Sequence, residues 1–115
     1  MGPRAGRHGV RIEAAEGRSV AATSALLATI AGRQAEVMRC LREAHELPPA
    51  AVGVSMRWRI ETDGTVSDVA VLATTWDDAG FLDCAQHTIG AWNLGPQASP
   101  VSVVGYPFEL TGAAP

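Results

Sequence analysis

The chain has 115 residues, 47% of them apolar, with nine Arg, no Lys and a net charge of -3. This length suits a single domain able to bury a core without a metal or cofactor, and no apolar run reaches the roughly 20 residues of a membrane-spanning helix. The negative balance argues against a general phosphate-binding surface, so nucleic acid is not an expected partner.

Residues 1–22 mix Gly, Arg and Ala without periodicity and hold no apolar stretch that could serve as a signal-peptide core. They read as a flexible N-terminal tail ahead of one domain over residues 23–112. From Thr23 or Ser24, either suited to an N-cap, Leu26, Ile30, Val37, Leu41 and Ala44 recur at helical spacing. That stripe, on which Cys40 also lies, predicts a helix to about Glu46, just before Pro48-Pro49. Gly32 costs this helix about 1 kcal/mol relative to Ala.

Val54, Met56, Trp58 and Ile60 alternate with Ser55, Arg57, Arg59 and Glu61, the period-two pattern of a strand with one buried face. Asp63-Gly64 is a hairpin signal, because its turns need the positive φ that Gly and Asp tolerate. The second strand runs from about Thr65 to Ala73. Val69 and Val71 stand in one phase and Val66 and Leu72 in the other, which predicts a bulge or cover on both faces. Asp77 or Asp78 then caps a helix with an apolar stripe of Phe81, Ala85, Ile89 and Trp92, ended by Gly95-Pro96. Residues 101–110 read as a last strand that Pro107 confines to a sheet edge or makes irregular.

The order α-β-β-α-β predicts an α+β fold with a three-stranded antiparallel sheet in the spatial order 2-1-3 and two helices on one face. Trp58, Ile30, Leu41, Phe81 and Trp92 are the expected main core. The acidic residues Asp63, Asp77 and Asp78 are accounted for by a turn and a cap, and the EF-hand spacing is absent. With no Gly-rich phosphate loop and no G-x-S-x-G elbow, neither an enzyme nor a cofactor site is expected.

Cys40 late in the first helix, the run from Ile60 to Val66 around Asp63-Gly64, Cys84 with Ile89 and Trp92, and Tyr106-Pro107-Phe108 in the last strand together resemble the C-terminal domain superfamily of TonB. Within it the chain is most similar to the AgmX/PglI-type C-terminal domain, over about Leu26 to Leu110. The chain departs from the family pattern in having Leu41 where that family has Tyr, and Leu94 with Gly95-Pro96 where it has Phe-Pro. The resemblance implies a non-catalytic, periplasmic protein–protein interaction domain of a cell-envelope assembly for energy transduction, transport or gliding motility. It implies binding of a protein or extended peptide by strand addition at the last strand, with Val101, Ser102, Val103, Val104, Gly105 and Tyr106 as the contact. The absence of an export signal in the sequence as given points instead to the cytoplasm if the chain is complete.

Cys40 and Cys84 are expected to form a disulfide between the two helices, with two buried thiols as an alternative. A third reading is a small metal or redox site using Cys40, Cys84 and His87, with His45 to complete it, although zinc needs three or four ligands. A self-associating structural module, dimerising through the last strand, is the remaining alternative.

Overall fold

The computed structural model describes residues 10–14 and 20–111, and over them the chain is α+β. In chain order the elements are β1 (Arg11–Ala14), α1 (Val20–Ala31), α2 (Gln34–Met38), a 3₁₀ turn (Arg39–Glu43), β2 (Val52–Ile60), β3 (Val66–Thr74), α3 (Ala79–Gly90) and β4 (Val101–Leu110). The four strands form one antiparallel sheet in the order β1-β4-β2-β3.

The three-stranded sheet expected from the sequence is therefore corrected to four strands: the three expected strands keep their mutual order, and a fourth, β1, is added outside β4. The added strand comes from the segment read as a tail, of which residues 1–9 and 15–19 lie outside the described residues. Val10 and Ile12 are half-buried while Arg11 and Glu13 are exposed and paired with each other at 3.0 Å. That is a period-two pattern of only four residues, shorter than the windows in which such alternation stands out.

The long first helix also divides. α1 begins at Val20, ahead of the expected cap at Thr23 or Ser24, and stops at Ala31. Gly32 and Arg33 turn the chain, with Gly32 N–H donating to Ala28 C=O and Arg33 N–H to Ile30 C=O, before α2 and the 3₁₀ turn resume. Glycine's loss of helix propensity is spent at this bend. The apolar stripe survives it, because Leu26, Ile30, Val37, Cys40 and Leu41 are all buried in one cluster.

β2 buries every second residue from Val52 to Ile60 against these helices. Trp58 sits at the middle of the cluster, edge-on to Trp92 with centroids 5.9 Å apart and stacked on Phe108 at 6.2 Å. Trp92 follows α3 instead of lying within it, and its indole N–H donates to Glu36 at 2.9 Å. The Asp-Gly turn is a three-residue loop in which Glu61 N–H donates to Thr65 C=O and Gly64, at φ 91°, accepts the left-handed position. β3 carries two bulges, opposite Ser55/Met56 and Arg57/Arg59, with Asp68 at φ 55° in the second. They account for its double apolar phase.

Three devices lock α3 to the 3₁₀ turn. Cys40 and Cys84 form a disulfide, with Cα atoms 5.5 Å apart. Asp78 caps α3 by accepting from Phe81 N–H at 3.0 Å, and the same carboxylate accepts from the backbone N–H groups of His45 and Glu46, each with a bond of 2.9 Å. Gly80 leaves room for the carbonyl of Glu43, which a Cβ there would strike. Burial opposes the Asp78 charge, yet these N–H donors and nearby His45 hold its carboxyl below the usual aspartate range.

Two outcomes follow. Joining residues 44 positions apart should stabilise the fold by up to about 4 kcal/mol, so Cys40→Ala with Cys84→Ala is expected to lower the urea-unfolding free energy by about 2–4 kcal/mol. Because the folded-state pKa of Asp78 is depressed, its contribution is complete above the unfolded aspartate pKa of about 3.9 and is lost as pH falls through the lower folded value. Unfolding curves should accordingly show the gap between wild type and Asp78→Asn narrowing below about pH 4.

Candidate functional site

The strand expected at the sheet border is enclosed over its first part. Val101, Ser102, Val103 and Val104 pair on one side with Ala14, Glu13, Ile12 and Arg11 of β1, and on the other with residues of β2. A partner strand cannot add at these four residues while β1 holds them. The reason is topological: the sequence segment that covers them lies some 90 residues away and carries only a four-residue pattern.

Among the described residues β1 begins at Arg11, opposite Val104, so the second part of β4 continues beyond its described partner. Gly105 is a bulge residue at φ 81°, facing the register shift between Met56 and Arg57. After it, backbone directions can be read from the ladder. Gly53 exchanges hydrogen bonds with Thr75, donating to Oγ1 at 3.0 Å and accepting from its N–H at 2.9 Å, so its backbone faces the β3 side. Its partner across the β2/β4 pair is Glu109. In an antiparallel ladder that makes the Glu109 backbone point away from β2, and the two-residue alternation turns Pro107 the same way.

This explains why a proline sits inside a ten-residue strand. Its missing N–H faces the open border and takes no bond from β2. The carbonyl of Glu109 on that border accepts from the side chain of Gln34 at 3.0 Å. Among the described residues, Pro107 C=O and Glu109 N–H are thus the outward groups left to a partner over residues 105–110. A partner there can form only a short ladder.

Side chains make up the rest of the surface. A groove of about 720 Å³ runs beside this stretch of β4. α1 contributes Leu27, Ala28 and Ala31, Gln34 opens α2, Val10 stands at the end where β1 begins, and Tyr106, Pro107 and Glu109 form the strand wall. Tyr106 backs onto the aromatic core, 4.8 Å from Phe108 and 5.9 Å from Trp58 between centroids. Burial pushes its phenol up from the ordinary tyrosine value, so the ring is neutral near pH 7. Of the expected contact residues, only Gly105 and Tyr106 reach open border.

The groove could not be found by motif. Leu27, Ala28, Ala31 and Gln34 lie beside the apolar stripe on α1 and α2, and their meeting with β4 depends on the bend at Gly32. The opposite border of the sheet, β3, offers a poorer ladder, because its two bulges twist the strand and break the regular spacing of outward groups.

The sulfurs of Cys40 and Cys84 are bonded to each other, so they are not ligands, and His87 and His45 are exposed. No group of three or more His, Cys, Asp or Glu side chains able to hold a metal occurs among the described residues. Asp63 accepts from the Thr65 hydroxyl at 2.7 Å and its N–H at 3.0 Å, which hold its carboxyl low and define the turn. Asp78 is the cap and clamp described above. No described helix is long and apolar enough to cross a membrane.

Comparison with protein-family models, with curated proteins and with solved structures finds no match.

The backbone directions of β4 can be checked directly. Pro107→Val supplies an outward N–H without disturbing the β2 ladder, and so should leave the urea-unfolding free energy within about 0.5 kcal/mol of wild type. Val103→Pro removes a donor aimed at β2 from a buried position and should destabilise by about 3 kcal/mol or more. Equal effects at the two sites would contradict the directions assigned here.

Proposed function

We propose that this chain is a non-catalytic protein–protein interaction domain of the TonB C-terminal, AgmX/PglI-like type, in which an extended partner segment docks along residues 105–110. The observation that carries this reading is the apolar groove lying where β1 ends and β4 continues. A strand in line with β1 would meet Pro107 C=O and Glu109 N–H and lay apolar side chains against Leu27, Ala28 and Tyr106. Most of the affinity would come from those side chains, because Pro107 and Gln34 leave so few backbone groups. This moves the contact from the six residues 101–106 to the stretch that follows β1.

The non-catalytic reading is supported by what the polar residues already do. Asp63 serves a turn, Asp78 serves a cap and a loop, and both cysteines are consumed in one bond. That bond supports an oxidising compartment, in keeping with the periplasm of an envelope assembly for energy transduction, transport or motility. A second copy of the chain docking at the same border would make the module a self-associating one.

The test uses a displayed library of extended peptides selected on the disulfide-intact chain. Ala28→Arg places a charged side chain in the groove, and Glu109→Pro removes the outward donor without touching the β2 ladder. Each should weaken a selected peptide about tenfold or more, with an unchanged unfolding midpoint. Failure to select any peptide, or peptides indifferent to both substitutions, would reject the groove. Light scattering over a concentration series reads the self-association form, which a dimer abolished by Ala28→Arg would establish.

A further inference from the structure

β1 is the shortest described strand, four residues at the end of the sheet, and β4 is its one strand neighbour. Ile12, half-buried, packs against the core, while Arg11 and Glu13 are exposed on the face of the sheet away from the helices. So short a strand gains little burial against the chain entropy of ordering it. It is therefore an element that opens locally while the rest of the sheet stays folded.

β1 also hides backbone groups that a partner could use. Val103 directs its groups at β2, so its neighbours Ser102 and Val104 present theirs to Glu13 and Arg11 of β1. With β1 displaced, these groups would share one border with Pro107 C=O and Glu109 N–H. The ladder open to a partner would then run over residues 101–110 and no longer be confined to 105–110.

The charges show that β1 is an imperfect occupant of this border. Arg57 of β2, Val104 and Arg11 stand in one cross-strand row, which puts two guanidinium groups on the same row of the same face. Glu13 lies with Arg57 and Arg59 around a hollow of about 160 Å³. Its carboxylate is taken by Arg11 at 3.0 Å, and Arg59 is taken by Glu61 at 3.1 Å. Arg57 is left exposed, without an ion-pair partner among the described residues.

We propose that β1 is a replaceable cover, and that the partner of the groove displaces it with an extended segment carrying an acidic residue in place of Arg11 and an aliphatic one in place of Ile12. The aliphatic side chain keeps the core contact, and the carboxylate answers Arg57. Because the segment runs antiparallel to β4, the partner residues that precede this pair continue along 105–110 and the groove. This inference rests on the groove reading and adds to it what the partner must remove and what charge it must carry.

Amide hydrogen exchange on the disulfide-intact full chain reads the cover. Ser102 and Val104 should exchange about tenfold or more faster than Val103 between them, and equal protection would overturn the proposal. Peptides selected on the same chain are then measured on Ile12→Asp, which loosens β1, and on Arg57→Glu. Binding should tighten about tenfold on the first, where β1 no longer competes. It should weaken about tenfold on the second and recover when Lys replaces the acidic residue of the peptide. A peptide that Ala28→Arg weakens, and to which Ile12→Asp and Arg57→Glu make no difference, would keep the groove and reject displacement of β1. Failure to select any peptide would reject both.

Discussion

Burial of one face of β2 governs the rest of the molecule. Val52, Val54, Met56, Trp58 and Ile60 all point into the helices, and a slip of one residue would expose all five and bury Arg57 and Arg59 in their place. With that register held, the direction of each neighbouring backbone group is determined. Gly53 must face β3, Glu109 must face away from β2, and Pro107 must present its missing donor to the open border. The character of the candidate site is thus set by an interior strand that takes no part in it. Trp58 is the largest side chain in this arrangement, and its Nε1 has no hydrogen-bond partner among the described residues. Leaving a donor unsatisfied costs about 1–3 kcal/mol, less than the ring contributes by burial and by its contacts with Trp92, Tyr106 and Phe108.

A second constraint joins the two helical segments. α1 and α2 are short, and a five-residue helix followed by a 3₁₀ turn has little stability of its own. The disulfide and Asp78 transfer the order of α3 to this segment and to the loop after it. A carboxylate that caps one helix while binding two N–H groups of another segment couples them more tightly than either bond alone. The charge is tolerated in a buried position because each accepted N–H favours the ionised form.

The candidate site was partly legible in advance. Tyr106 and Pro107 stood out by residue type, and the terminal strand was recognisable from its alternation. The face they would serve was not legible, since whether a strand is an edge depends on every other strand in the sheet. Arg11–Ala14 was missed for a physical reason: four residues with two apolar side chains gain too little burial to signal a strand unless a partner edge is already waiting. The groove was missed for a related one. Ala28, Ala31 and Gln34 carry no signal of their own, and they become a wall only when Gly32 bends the helix and β4 passes beside it.

The order of amino acids determined by itself the two apolar stripes, the Asp63-Gly64 hairpin, the alternation of β2, the cap before Phe81 and the fold class. Each arises from contacts within a few residues, where periodicity and turn chemistry act directly. Tertiary structure alone decided that β4 lies between β1 and β2, that Asp78 reaches His45 and Glu46, and that a groove opens beside residues 105–110. Those outcomes join segments tens of residues apart. They follow from the competition among all the apolar faces for one shared core, which no local stretch of sequence records.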